Sequence, residues 1–88
     1  MNIVIVDDDV LVSSALKTIL ESSEEIRVSG MGQDGSEALE LYREHKPDVL
    51  LMDIRMKNVS GLTASQEILK AYPEAKILLL TTFSDDEY

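Results

Sequence analysis

The 88-residue sequence predicts an α/β fold: a three-layer, doubly wound parallel sheet with strand order 2-1-3-4. Three observations lead there. Short runs rich in β-branched residues alternate with stretches of helical periodicity in the order β-α-β-α-β-α-β, and such alternation implies parallel strands with helices on both faces. The first run, Ile3–Val6, is apolar throughout, as suits a strand covered on both sides. The second, Ile26–Met31, is weaker, because Arg27 and Ser29 alternate with Ile26 and Val28, a pattern that suits an edge. With right-handed crossovers, an edge position for strand 2 makes strands 1 and 3 neighbours at the switch point.

The elements follow in order. Asp9 is placed to cap a helix beginning at about Val10. Its apolar face is read as Leu11, Ala15, Leu16 and Ile19, with Val12 and Leu20 beside them, and the polar run Glu21–Glu25 ends it. Gly32–Gly35 makes a turn into a helix whose apolar face is Ala38, Leu39, Leu41 and Tyr42. His45, near that helix's end, reads as a surface residue favourable to the helix dipole, and Pro47 closes the loop behind it. Val49–Met52 is a third strand ending on Asp53, and the loop Ile54–Gly61 follows, with Met52 and Met56 as packing residues. Ser60 can cap a third helix carrying Leu62, Ile68, Leu69 and Tyr72, which stops at Pro73. Lys76–Leu80 is a fourth strand ending on Thr81 and Thr82, and the tail "FSDDEY" reads as the entry to a fourth helix.

Composition narrows the function. The chain has no cysteine, which excludes disulfides, thiolate metal sites and a thiol nucleophile. Its net charge of -9 argues against direct contact with nucleic acid and favours a cation or a basic partner. No apolar run approaches the length that spans a membrane. With a strand beginning at Asn2 there is no room for a signal peptide, so a soluble, cytoplasmic protein is expected.

In open α/β sheets, sites form at the carboxyl ends of the strands near the switch point. Strand 1 runs into Asp7, Asp8 and Asp9, strand 3 ends at Asp53, and strand 4 ends at Thr81. With strands 1 and 3 adjacent, their carboxylates converge. A nucleotide-binding first turn would be glycine-rich; this one is acidic and repels a bare phosphate. Carboxylate oxygens without His or Cys suit Mg²⁺. Asp53 is then a third ligand or a nucleophile able to form an aspartyl phosphate, with the Thr81 hydroxyl available to a phosphoryl oxygen. Asp9 reads more simply as a helix cap, and Thr82 as a strand residue.

"VDDD" after strand 1, "LLMDIRMKNVSG" around strand 3 and "ILLLTTFSDDEY" through strand 4 together resemble the receiver domain of bacterial two-component response regulators, over the whole chain and in the right order. "LTTFSDDEY" is similar to the subgroup whose receiver precedes a helix-turn-helix DNA-binding domain. The resemblance implies a flavodoxin-like sheet in which Asp53 accepts a phosphoryl group from the phosphohistidine of a sensor histidine kinase. It implies Mg²⁺ bound directly by Asp8, Asp53 and the Arg55 backbone carbonyl, and mainly through water by Asp7. It implies Thr81 as the switch hydroxyl, and an output in transcription reached only through a DNA-binding domain absent from this chain.

The chain departs from the family pattern at four points. Asp9 stands where His is frequent, Lys57 where Pro is usual, and Ser60 where Asp is frequent. The family's fifth strand, with its phosphate-pairing lysine and aromatic switch residue, and its fifth helix are missing. Of Lys17, Lys46, Lys57, Lys70 and Lys76, none follows a strand at the site end, so no catalytic lysine is assigned. Residues 1–88 therefore read as a receiver domain incomplete at its C-terminus. Its first helix would cover one sheet face alone, and self-association through the exposed edge of strand 4, or a swap of elements, is expected.

Two other functional classes fit the sequence less well. A small aspartyl-phosphate phosphatase needs a second aspartate two residues after the nucleophile, where this chain has Arg55. A non-phosphorylated interaction module with a vestigial acidic site fits less well, because the acidic pair and Asp53 are intact.

Overall fold

A computed structural model describes residues 1–80. Four strands, β1 (Asn2–Val6), β2 (Arg27–Gly32), β3 (Val49–Asp53) and β4 (Ile77–Leu80), form one sheet in the order β2-β1-β3-β4, with every pair parallel. Helices α1 (Val10–Leu20), α2 (Ala38–His45) and α3 (Gly61–Ala71) connect them. The predicted fold class and strand order are therefore observed. Thr81, Thr82 and the tail read as a helix entry lie outside the described residues.

The central strands are apolar on both sides because both sides are covered. Val4, Val6, Leu50 and Met52 pack with Ala38 and Tyr42 of α2 and Ala64 and Ile68 of α3. Ile3, Ile5, Val28 and Leu51 face the other way, toward Leu16 and Leu20 of α1. Asp9 caps α1 as expected, its Oδ1 accepting from the Leu11 and Val12 N–H groups at 3.0 and 3.3 Å. Ser60 caps α3, accepting from the Thr63 N–H at 3.2 Å.

Two helices are rotated from the expected faces. In α1, Val12, Leu16 and Leu20 turn inward together with buried Ser13, whose hydroxyl donates to the Val10 carbonyl at 3.1 Å. Leu11, Ala15 and Ile19, expected in the core, face outward, with Leu11 81% exposed. The two stripes lie about 100° apart on the helix, and either one satisfies a helical hydrophobic period. In α3 the inward residues are Gly61, Ala64, Ser65 and Ile68, while Leu62 and Leu69 are exposed. Small side chains bring this helix close to the sheet, and the larger leucines are left outside.

His45 also departs from its reading. It occupies the last turn of α2, as the dipole argument requires, but its ring is half-buried over Gly30 of β2, where a Cβ would come within 2.7 Å of Cδ2 and Nε2. A single 3₁₀ turn, Gly35–Glu37, precedes α2 within the stretch expected as a turn and helix start. The edge strand β2 carries a bulge. Ile3 pairs with Val28 and Val4 with Gly30, so Ser29 is the extra residue, and its buried hydroxyl has no partner among the described residues.

Candidate functional site

The site is built where β1 and β3 end side by side. The Asp7 N–H donates to the Gly32 carbonyl at 3.0 Å and so extends the β1–β2 ladder by one residue. The chain then turns, and Asp7 Oδ1 accepts from the Asp9 N–H at 2.8 Å. Adjacent side chains on a regular strand point to opposite faces; this turn lets Asp7 and Asp8 serve one place. Asp53 closes β3 one pleat away, and the Ile54 N–H donates to the Leu80 carbonyl at 3.0 Å, which ties the exit of β3 to β4.

One carboxylate oxygen from each of Asp7, Asp8 and Asp53 lies within 4.8 Å of the others. Asp7 and Asp53 are buried and Asp8 is exposed. Among the described residues Asp7 Oδ2 is buried with no hydrogen-bond partner, and a buried acceptor left unpaired in a native fold calls for an unseen water or ion. An all-oxygen carboxylate set with one orphaned oxygen at its floor fits a hard divalent cation such as Mg²⁺. Arg55 lies on the loop after Asp53, its N–H donating to Asp53 Oδ1 at 3.4 Å. Thr81 lies outside the described residues.

Burial pushes both the Asp7 and Asp53 carboxyls above the usual carboxylate range. For Asp7 the Asp9 N–H pulls partly back, and the charges of Asp53, Asp8 and Asp9 push further up. For Asp53 the Arg55 N–H lowers and the Asp8 charge raises. A carboxyl raised by folding contributes stability that is full below its unfolded value of 3.8 and is lost as pH climbs through the folded value. Without a cation the folded chain therefore gives up stability on going from pH 4 to pH 7 at these two groups. Asp7→Asn in EDTA at pH 7 is expected to raise the urea midpoint. In the parent chain, Mg²⁺ at a hundredfold excess over its Kd is expected to add about 2.7 kcal/mol. A parent chain whose midpoint ignores Mg²⁺ at pH 7 would contradict the second expectation, and an unchanged or lower midpoint of Asp7→Asn in EDTA would contradict the first.

Two residues near the site escaped the sequence reading. Asp34, which the sequence presents as part of a turn, is buried. Its Oδ2 accepts from the Ser36 N–H at 2.9 Å and the Val59 N–H at 3.2 Å, and its Oδ1 from the Asn58 N–H at 3.0 Å. The N–H groups of Ser36 and Asn58 hold its carboxyl down to about 2. Lys57, read only as a replacement for proline, lines a cavity of about 230 Å³ at this end of the sheet with Asp8, Gln33, Asp34, Glu37 and Asn58. The Asp34-Gly35 dipeptide signals a local turn; contacts 24 and 25 residues away leave no mark on one sequence.

Known proteins share this architecture and its sequence. The response regulator receiver domain family matches residues 3–88. The chain is 45% identical over 89 residues to the oxygen regulatory protein NreC of Staphylococcus haemolyticus, covering all of this chain and 41% of that protein. It is 40% identical over 88 residues to the transcriptional regulatory protein DegU of Brevibacillus brevis, again along its full length and over 37% of that protein. The chain thus spans about two fifths of these relatives' length. Among solved structures, the response regulator domain of Thermotoga maritima CheB superposes with a TM-score of 0.89 at 34% identity, over 98% of this chain and 63% of that one. A flavodoxin-like sheet in the order 2-1-3-4, an acidic cluster where β1 and β3 end, and a family match over nearly every residue lead to one conclusion: the chain belongs to the response regulator receiver domains of two-component signalling.

Proposed function

We propose that this chain is the phosphoacceptor part of a two-component switch, with Asp53 as the acceptor. An Asp53 carboxylate oxygen attacks the phosphorus of a phosphohistidine on a sensor histidine kinase. The O–P bond forms as the N–P bond breaks, and the departing imidazole nitrogen keeps the electron pair. Mg²⁺ supplies charge neutralisation between carboxylate and phosphoryl group when bound, and Asp8, Asp53 and the Arg55 carbonyl would hold it, with Asp7 acting through water. Thr81 is the hydroxyl that senses the phosphoryl group. The chain so acts as a switch rather than as a turnover enzyme, in the cytoplasm. Its output is transcriptional, reached through a DNA-binding domain outside these residues.

The observation that carries the reading is the meeting of Asp7, Asp8 and Asp53 within 4.8 Å around the unpaired Asp7 Oδ2. The test is chemical: incubate the chain, extended by the C-terminal segment of a curated relative, with Mg²⁺ and a small acyl phosphate, and weigh the intact protein. One added phosphate, absent in EDTA, is expected. No gain would favour the vestigial interaction module instead. A polypeptide of these 88 residues alone is expected to label weakly, because none of its lysines directly ends a strand, and Lys57, the one on the β3–α3 loop, stands four residues beyond Asp53; efficient labelling would contradict that.

Self-association belongs to the same proposal. Among the described residues nothing pairs with the outer side of β4, and Leu78 is 54% exposed on the α1 face of the sheet. An unpaired, flat, apolar edge is a template for another strand. Sedimentation of the 88-residue polypeptide is expected to give a concentration-dependent dimer, and Leu78→Lys to shift it toward monomer. A single monomeric boundary at all concentrations would rule the association out.

A further inference from the structure

We propose that Asp34 is a positioning residue for the phosphoacceptor loop: its ionised carboxylate bridges the β2–α2 and β3–α3 loops and thereby fixes where residues 54–60 stand over the metal site. The proposal deepens the acceptor reading and rests on it.

The loop is anchored at both ends by backbone contacts. At its far end, the Gly61 N–H donates to the Ile54 carbonyl at 2.8 Å, folding the loop back on the residue that follows Asp53. Its middle is held from outside. The Asn58 and Val59 N–H groups donate to Asp34, and the Gly35 N–H donates to the Val59 carbonyl at 3.2 Å. Gly35 has no side chain for a reason: a Cβ there would overlap the Val59 carbonyl oxygen. Three bonds thus zip Asp34-Gly35 to Asn58-Val59. Among the described residues no other side chain accepts from those two amides.

The clamped amides directly follow Lys57, which stands where proline would otherwise stiffen this loop. With lysine there, the backbone needs its order from elsewhere, and a buried carboxylate accepting charge-assisted bonds is a strong source of it. The Arg55 carbonyl and the Lys57 side chain lie on the segment so fixed, between Asp53 and the clamp. Residues that orient ligands without touching the metal commonly change its affinity when replaced. Asp34 is also a cap for the 3₁₀ turn through Ser36, and this second role is the one to separate from positioning.

Asp34→Ser separates them. Serine is a good capping residue, so the Ser36 bond survives, but its short hydroxyl arm cannot also serve the Asn58 and Val59 N–H groups. Titrate the chain with Mg²⁺ alone and follow the Arg55 amide by NMR, with hydrogen exchange at Asn58 and Val59 measured in parallel. Asp34→Ser is expected to lose protection at both amides and to bind Mg²⁺ about tenfold more weakly. Asp34→Asn, which keeps an accepting oxygen, is expected to recover part of the affinity. Val28→Ala, a destabilising change in the core of the opposite face, is expected to leave Mg²⁺ affinity unchanged. Parental affinity in a folded Asp34→Ser overturns the inference alone, as does an equal loss in Val28→Ala. Should Asp34→Ser fail to fold, parental affinity in Asp34→Asn overturns it. Absence of Mg²⁺ binding by the parent chain overturns the acceptor reading and this inference with it.

Discussion

Asp53→Asn is expected to abolish the phosphate gain completely while leaving the chain folded. The substitution keeps the shape of the side chain and an oxygen able to accept the Arg55 N–H, so the hydrogen bond to Asp53 Oδ1 has a replacement. It removes the anionic oxygen that attacks phosphorus, and a neutral amide is a far weaker nucleophile. It also removes one of three carboxylates that crowd within 4.8 Å, two of them buried. Without a cation, stability at neutral pH is therefore expected to rise slightly, while Mg²⁺ binding weakens. The signature is a variant with no mass gain, an equal or higher urea midpoint in EDTA and a smaller response to Mg²⁺. A phosphate gain that persisted in Asp53→Asn would move the acceptor to another residue. A collapse of the fold would mean that Asp53 is structural first.

Gly61→Ala carries the largest expected cost to the fold. Replacing a glycine in the first turn of a helix usually helps, since alanine loses less backbone entropy and is the better helix former. Here the sign reverses. A Cβ on Gly61 would overlap the Asp53 carbonyl oxygen and come within 3.0 Å of the Ile54 Cα, all of it backbone with no side chain to move aside. Either α3 lifts off the sheet or the exit of β3 shifts, and the first of these strips cover from Met52, Ala64 and Ile68. Overpacking of this kind costs about 1–3 kcal/mol, and each kcal/mol lowers the melting temperature of a domain this size by about 4–8 °C. Gly30→Ala supplies the comparison, because the atoms its Cβ meets belong to the His45 ring, which can swing away. Thermal unfolding by circular dichroism should rank Gly61→Ala well below Gly30→Ala. Equal melting temperatures would show that α3 is not held as close to β3 as the structure has it.

Much of this was readable from residue order. The uninterrupted Ile3–Val6 run against the alternating Ile26–Met31 stretch pointed to the strand order, and strand order alone brought Asp53 to Asp7 and Asp8. The caps at Asp9 and Ser60 were legible because capping is local. What was not legible is what depends on rotation or distance. α1 has two apolar stripes, and the choice between them is made by packing against the sheet, where Leu16 and Leu20 meet Ile3, Ile5, Val28 and Leu51. α3 presents leucines to a pattern reader, yet Ala64 and Ser65 sit against the sheet because the site of closest approach, Gly61 on Asp53, admits nothing larger nearby. Asp34 advertises a turn and conceals a bond across two loops. Thr81 lies beyond the described residues, and its assignment rests on the resemblance.

The bulge at Ser29 makes the two borders of the sheet unequal. A bulge accentuates twist and breaks the regular row of donors and acceptors that another chain could read, whereas β4 runs in unbroken register with β3 from Ile77 to Leu80. A ribbon with two receptive borders polymerises, because each addition exposes a fresh one. With a single receptive border, joining two copies back to back about a twofold axis consumes both, and growth stops there. If copies of this chain join through β4, the outer strand among the described residues, one surplus residue on the far side of the sheet sets the stoichiometry: pairs close on themselves, and fibres have no second end from which to extend.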